Sequence, residues 1–573
     1  MDTMSCRRFP ESTRKLQAAR EEITRVTHVL EPGNTAVLSQ AGLSRRSLLR
    51  GTAGATAAMI AGMTFPGVMK AQTPAAEIPA KELSGTAILT ISGEPQSFNP
   101  DFQGDDNLWP IAGNLYNSLF SLDNTFNVIP ELATGYEIAE DGLSITITLT
   151  PLATWHDGEP FTSADVKYTV EQIVATPSAT ASSLISAVES VDTPDDHTAV
   201  LKLSRPSASV IGFLSWYGVF MLPAHIYEGT DWATNEANQA PIGTGPFKFV
   251  SYEPGATVEL EANPAYFGEG PFLERLIYQI IPDPNTAAQA LQNGEIDFVE
   301  GVPNAQVPTF EANPDFKIAG KVYPSPIYFG FNLKNAPLDN VDVRRAMGMA
   351  IDRDQIVATA LSGYGTPENR FYPSVIEWAS NPDAVAPAFD VDGANALLDE
   401  AGFPMNGDSR FGVKLLYFSG WQEVADTATV LKEQLAAIGV AVELVLLEYA
   451  AWEEQMAAGD FDLGLQGGFQ GPDPANLALR WGTGNTLNRW SYSNPEFDEL
   501  LVEGDAAATP EDRAPFYFQA QEILATDVPS IPLALQTYFA GFTNRMTGVW
   551  LDPDDPASSQ VGMNRFTLTK LEG

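Results

Sequence analysis

Residues 412–466 read GVKLLYFSGWQEVADTATVLKEQLAAIGVAVELVLLEYAAWEEQMAAGDFDLGLQ. The stretch 412–418 is an apolar run of strand length. Behind it Val424, Ala428, Leu431, Leu435 and Ile438 recur in three- and four-residue steps, the period of one helix face. Gly439 stands where a C-terminal cap is expected. Residues 440–447 read as a second strand, 452–458 as a short helix ended by Gly459, and 461–466 as a third strand. Strand, helix, strand, helix, strand predicts a parallel sheet with covering helices, an α/β fold. Ligands of such sheets sit beyond the carboxyl ends of the strands. That points to 419–421 and 467–473.

Outward from this stretch, 87–93 reads as a strand. Residues 135–150 read as a hairpin: an Asp141-Gly142 turn leads into Ile145, Ile147 and Leu149, which share one face at period two. In W-H-D-G-E-P-F-T-S-A-D-V (155–166), Thr162 and Asp165 have capping-box spacing. Val166, Val170, Ile173 and Val174 form the buried stripe of the helix that follows. A second hairpin is predicted over 247–261, turning at Glu253-Pro254-Gly255. The 42 prolines and 46 glycines are scattered, which suits many long ordered loops. There are no repeats, heptads or low-complexity tracts.

A chain of 573 residues implies roughly two to four structural units. Its 44% apolar and 18% charged residues support a packed core rather than disorder. The net charge of −41 argues against nucleic acid and against anionic lipid as partners. The charge is uneven. Residues 1–71 hold ten basic and five acidic side chains; the rest hold 22 and 68. Within the basic head, 44–50 reads S-R-R-S-L-L-R. An uncharged, mildly apolar stretch follows over 51–68, then Lys70 and small residues at Ala71, Ala75 and Ala76. These are the parts of an export signal, and the paired Arg45 and Arg46 mark it as the twin-arginine type. Glycines, threonines and Pro66 interrupt the apolar stretch too often for a membrane anchor. The expectation is a leader over 1–71, removed to leave a periplasmic chain starting near 72–77. Cys6, the single cysteine, leaves with it, so the mature chain has no disulfide and no cysteine-borne lipid anchor.

Signals for catalysis are thin. His156, His197 and His225 have no metal-ligand spacing. G-x-S-x-G, P-loop and dinucleotide fingerprints are missing. No metal or cofactor is expected. His156 is read as a hydrogen-bonded structural histidine, and G-T-G-P (243–246) as a turn leading into a strand. A carboxylate pair of hydrolase type stays open, since acids are abundant. Trp109, Tyr116, Trp421, Phe469 and Trp481 fall in or beside predicted loops. They read either as aromatic walls of a ligand pocket or as ordinary packing.

Several stretches, in order, carry a family resemblance: E-P-Q-S-F-N-P (94–100), L-A-T-G-Y-E-I-A-E-D-G-L (132–143), the 155–166 segment, G-T-G-P-F-K-F (243–249), F-N-L-K-N-A-P-L-D-N-V-D-V-R-R-A-M (331–347) and Y-S-N-P-E-F-D (492–498). The chain resembles the extracellular solute-binding proteins of family 5, which include the dipeptide- and oligopeptide-binding proteins of ABC importers. The resemblance implies a two-lobe, periplasmic-binding-protein-like α/β fold of the class II type. The first lobe would be 77–116, 237–330 and 537–573, with an extra subdomain over 117–236. The second would be 331–536. The hinge would cross near 328–332 and 535–538, which makes Tyr328, Asn332 and Tyr538 candidate ligand residues. The implied role is a monomeric, non-catalytic binding subunit that hands its solute to a membrane permease after twin-arginine export; a ligand-binding protein that feeds a sensor or chemoreceptor is an alternative. Most of the motifs are structural: Asn494-Pro495 reads as a helix N-cap, and Asp342 and Arg344 open a helix. Peptide-binding members hold the peptide's amino group with an aspartate in a D-Y-P-D-P-like loop. Here that loop is F-Q-G-P-D-P (469–474): Asp473 matches the later acid, but Gln470 stands at the ammonium position. No arginine lies at 417–422 for a ligand carboxylate. The ligand is therefore either a peptide or a neutral, polar or sugar-like solute stacked on Trp421 and Trp481.

Overall fold

The computed structural model describes residues 82–102, 107–123, 127–176, 182, 185–215, 218–471, 473–485, 487–552 and 565–572. The leader with Arg45 and Arg46 lies outside the described residues.

Residues 412–466 fold as strand Phe411–Phe418, helix Gln422–Ala436, strand Val440–Leu447, helix Tyr449–Ala458 and strand Leu463–Gln466. Phe411–Phe418 lies parallel to both other strands. Val424, Ala428, Leu431, Leu435 and Ile438 are all buried. A leucine so buried stabilises by roughly 1.5–3 kcal/mol relative to exposure. Gly439 and Gly459 end the turns of chain at φ of +74° and +73°. At Gly439 the positive φ disfavours a side chain, and a Cβ would also push aside the exposed Met405 thioether, 2.5 Å away. The second helix starts at Tyr449 rather than 452, since Ala450 and Ala451 favour helix.

This parallel unit is one end of a seven-stranded mixed sheet. Its core is an antiparallel pair of long strands, Phe316–Phe331 and Ser530–Thr543. At about 3.3 Å per residue, the first spans roughly 50 Å. Register runs from Phe316 opposite Thr543 to Val322 opposite Thr537, breaks, and resumes with Pro326 opposite Leu535. The break spans Tyr323, Pro324 and Ser325, and Pro326 closes it. A proline has no N–H for the ladder and is confined to edges and bulges, so this sequence interrupts the pairing. On one side of the break, Phe298–Glu300 joins Ser530–Thr543. On the other, Tyr328 lies opposite Gln466 and Phe331 opposite Leu463. The pair therefore ties one group of elements to the other through an irregular waist at 323–325 and Gln536.

Two further four-stranded sheets come from the earlier part of the chain. In one, Thr86–Ile91 runs parallel to Arg275–Ile280, followed by Thr257–Ala262 and Phe247–Glu253. The other is antiparallel: Ala133–Ile138, Ser144–Leu149, Thr198–Leu203 and Val188–Asp195. Helix Ser163–Val174 has the expected capping box of Thr162 and Asp165. His156 is buried. Its Nδ1 accepts from the Gly243 N–H (3.1 Å), so Nε2 donates to the Gly245 carbonyl (3.0 Å). Burial lowers its pKa to about 4, and the ring is a neutral brace for the 243–246 turn.

The largest apolar cluster joins Leu89, Tyr116 and Val210 to Trp481, Trp490 and Tyr517. A second packs Phe329 and Phe331 against Met347, Leu415 and Leu431. No described helix is long and apolar enough to cross a membrane.

Candidate ligand-binding site

The loops after Phe411–Phe418 and Leu463–Gln466 meet at the carboxyl edge of the parallel strands, where such sheets bind ligands. Trp421, the N-cap residue of helix Gln422–Ala436, lies against Gly467. A Cβ on Gly467 would stand 2.7 Å from the Trp421 Cη2 and 3.2 Å from the Pro326 carbonyl. Gly468 follows at φ +123°. The Gln470 N–H donates to the Pro324 carbonyl at 2.8 Å, and the Tyr372 hydroxyl donates to the Gly471 carbonyl at 3.1 Å. The loop is thus hung from the waist of the long strand pair and from buried Tyr372.

Behind the loop, Tyr328 is buried, with its ring 5.9 Å from Trp481 and 6.1 Å from Trp490. Trp481 and Trp490 stack at 6.0 Å and 22°. The Tyr328 hydroxyl accepts from Gln466 Nε2 and, at 3.4 Å, from Arg480 Nη1. Arg480 Nη2 donates to the Phe469 carbonyl at 3.0 Å. Tyr538 lies next along the waist, edge-on to Tyr323 at 5.3 Å, with its hydroxyl 3.5 Å from Ser325 Oγ.

Five candidate residues therefore belong to one locality: Tyr328, Trp421, Phe469, Gln470 and Trp481, with Tyr538 adjoining through Ser325. The others are differently placed. Asp473 has both oxygens on Arg513 at 2.7 Å each, and it also caps the 3-10 turn Pro474–Asn476 through the Ala475 N–H. Arg513 further donates to the Gly504 carbonyl and the Tyr517 hydroxyl and lies over the Trp378 ring. Burial alone would lower the Arg513 pKa, but the Asp473 carboxylate outweighs it and the net direction is upward. Asn332 spends its amide on the Gly459 and Phe461 carbonyls, 3.0 Å each. Tyr116 caps helix Trp109–Leu115 from inside the core and donates to the Phe98 carbonyl at 2.9 Å. Trp109 opens that helix and stacks on Phe220 at 6.0 Å.

Sequence reasoning missed Arg480, Gln466, Tyr372 and Arg513. Arg480 adjoins Trp481, a residue already singled out, in the short helix Leu477–Trp481. A cation beside an aromatic candidate was the signal to follow.

The comparisons with known proteins decide the family. Residues 127–488 match the model for bacterial extracellular solute-binding proteins, family 5 Middle. The chain belongs to family 5 of the bacterial extracellular solute-binding proteins. This family 5 protein is 30% identical over 465 residues to the oligopeptide-binding protein AppA of Bacillus subtilis, covering 78% of this chain and 85% of AppA. Among solved structures, the ABC transporter substrate binding protein CtaP of Listeria monocytogenes matches with a TM-score of 0.77 at 25% identity, over 86% of this chain and 100% of CtaP. The binding protein AgaA from A. tumefaciens R10, solved with agropinic acid, matches with a TM-score of 0.73 at 27% identity, over 85% and 99%. The fold is the two-lobe α/β architecture of these binding proteins, as the resemblance implied.

Proposed function

We propose that this family 5 protein is the substrate-binding subunit of an ABC importer, which captures a peptide or another small polar solute between two lobes and presents it to a membrane permease without catalysing a reaction. The observation that carries the reading is the bond from Gln470 N–H to the Pro324 carbonyl. It joins the loop that would hold solute to the proline-broken waist, so contact with the loop biases the strands on which the lobes would turn. The lobes are taken as 77–116, 237–330 and 537–573 for the first, with a subdomain over 117–236, and 331–536 for the second. Arg45 and Arg46 would direct the folded chain through the twin-arginine machinery to the periplasm, where it works as a monomer free of lipid. AppA is named as an oligopeptide binder and AgaA was solved with an organic acid, which supports a solute in this range.

The test is a thermal-shift and tryptophan-fluorescence screen of the mature chain against peptides, sugars and organic acids. Saturating ligand at 100 times Kd stabilises by about 2.7 kcal/mol, and Trp421 at the loop reports it optically. Multiple turnover of any binder into product would replace this reading with the hydrolase alternative.

A further inference from the structure

We infer that Arg480, with the Tyr328 hydroxyl, forms a subsite for a carboxylate on the transported solute; this rests on the solute-binding reading above. In the chain after residue 71, acids outnumber bases 68 to 22; Arg513, Arg410 and Arg489 pair with Asp473, Asp399 and Glu453, whereas Arg344 and Arg353 are held by backbone carbonyls. Arg480 has no carboxylate within ion-pair distance among the described residues. It is half-buried.

The hydrogen bonds lead the same way. A guanidinium has five N–H groups and no acceptor. Two are taken, by the Tyr328 oxygen and the Phe469 carbonyl. The Nε–H is buried with no acceptor among the described residues. The Tyr328 oxygen receives both Gln466 and Arg480, so its two lone pairs are used and its own proton is left to give. The indole N–H of Trp481 is likewise buried without an acceptor. Neighbouring Arg480 and Trp481 thus each carry a buried donor without an acceptor, which is costly unless something supplies one. Gly468 lies directly against this group: a Cβ added there would stand 3.8 Å from Arg480 Nη2, in van der Waals contact. The missing partner is anionic and planar, matching the guanidinium fork. One guanidinium and one phenol suit the single charge of a carboxylate better than the double charge of a phosphate.

The test uses the mature chain and matched probes: Ala-Phe-Ala with a free carboxyl and as its C-terminal amide, gluconate with glucose, and glucose 6-phosphate, measured by calorimetry and thermal shift. The carboxylate of at least one pair is expected to bind at least tenfold more tightly than its neutral partner. Arg480→Gln should erase that ratio, Arg480→Lys should restore part of it, and Tyr328→Phe should reduce it several-fold. Melting temperatures of the ligand-free variants check that they fold. Equal binding within both pairs, a ratio that survives in Arg480→Gln, or preference for glucose 6-phosphate overturns the subsite while leaving the solute-binding reading in place. Binding of none of the probes, alongside a screen that finds no ligand at all, overturns both.

Discussion

Two arginines flank the same loop, and their surroundings are opposite. Arg513 is enclosed by Asp473, the Gly504 carbonyl and the Tyr517 hydroxyl, with Asp505 3.9 Å away. Arg480 touches a carbonyl and a phenol, and no acid among the described residues. The first centre is closed: charge is balanced and donors are met from within. The second has donors to spare. A closed centre holds a loop in position, whereas an open one is finished by something that enters. Residues 467–471 and Asp473 lie between them, with Phe469 bonded to one arginine and Asp473 to the other.

The largest expected effect comes from opening the closed centre. Asp473→Asn leaves a buried guanidinium with part of its charge unbalanced. Breaking one side of a buried pair costs roughly 3–5 kcal/mol, with Asp505 holding the loss toward the lower end. Arg480→Gln breaks no ion pair and should cost under about 1 kcal/mol. Urea unfolding with m-values measures both. Equal losses would erase the distinction between the two centres. Full stability of Asp473→Asn with lost ligand affinity would return Asp473 to the ligand role suggested by its loop motif.

A middle-sized effect belongs to packing at the open site. Gly467→Ala places a methyl 2.7 Å from the Trp421 ring. Overpacking of this kind costs roughly 1–3 kcal/mol, reduced as far as the half-buried Trp421 can swing aside. Because Trp421 moves, ligand affinity should fall along with the tryptophan fluorescence response. Unchanged affinity would place the ligand away from Trp421 and separate the two halves of the open site.

The contrast also explains what could be read from the chain alone. Local rules set the Thr162 capping box, the Asn494 cap and the left-handed Gly439, each legible because its partners lie within a few residues; the parallel strands were legible because each element carries its own apolar period, although the strands that pair lie 29 and 48 positions apart. The two arginine centres are not local. Asp473 meets Arg513 across 40 positions and Arg480 meets Tyr328 across 152. No periodicity encodes such distances. The aromatic candidates divided for a related reason: Trp481 and Tyr116 look alike in a loop-like sequence, yet Trp481 joins the site locality while Tyr116 turns into the core with its hydroxyl on Phe98. The proline-broken waist was visible as P-S-P but was not weighed, because its effect depends on a partner strand more than 200 residues later.

The smallest effect sharpens the comparison most, because it holds the acid constant and varies burial. Asp505 on helix Pro495–Ala506 accepts from Arg205 Nη1 and Ser207 Oγ, 2.7 Å each, and from the Ser209 N–H at 3.1 Å. It also lies 3.9 Å from Arg513. The Arg205 side chain is 44% exposed, that of Arg513 5%. By distance alone Arg205 is the stronger partner. By burial it is the weaker one, because water and salt screen an exposed cation and its side-chain freedom opposes the pair. Arg205→Ala should therefore cost no more than about 1 kcal/mol, and the small loss should shrink further in high salt. Asp505 keeps Ser207, the Ser209 N–H and Arg513, so it is not stranded. A loss from Arg205→Ala matching that from Asp473→Asn would show that the charge network reaches the surface undiminished, and burial could then no longer explain why one arginine centre is closed and the other open.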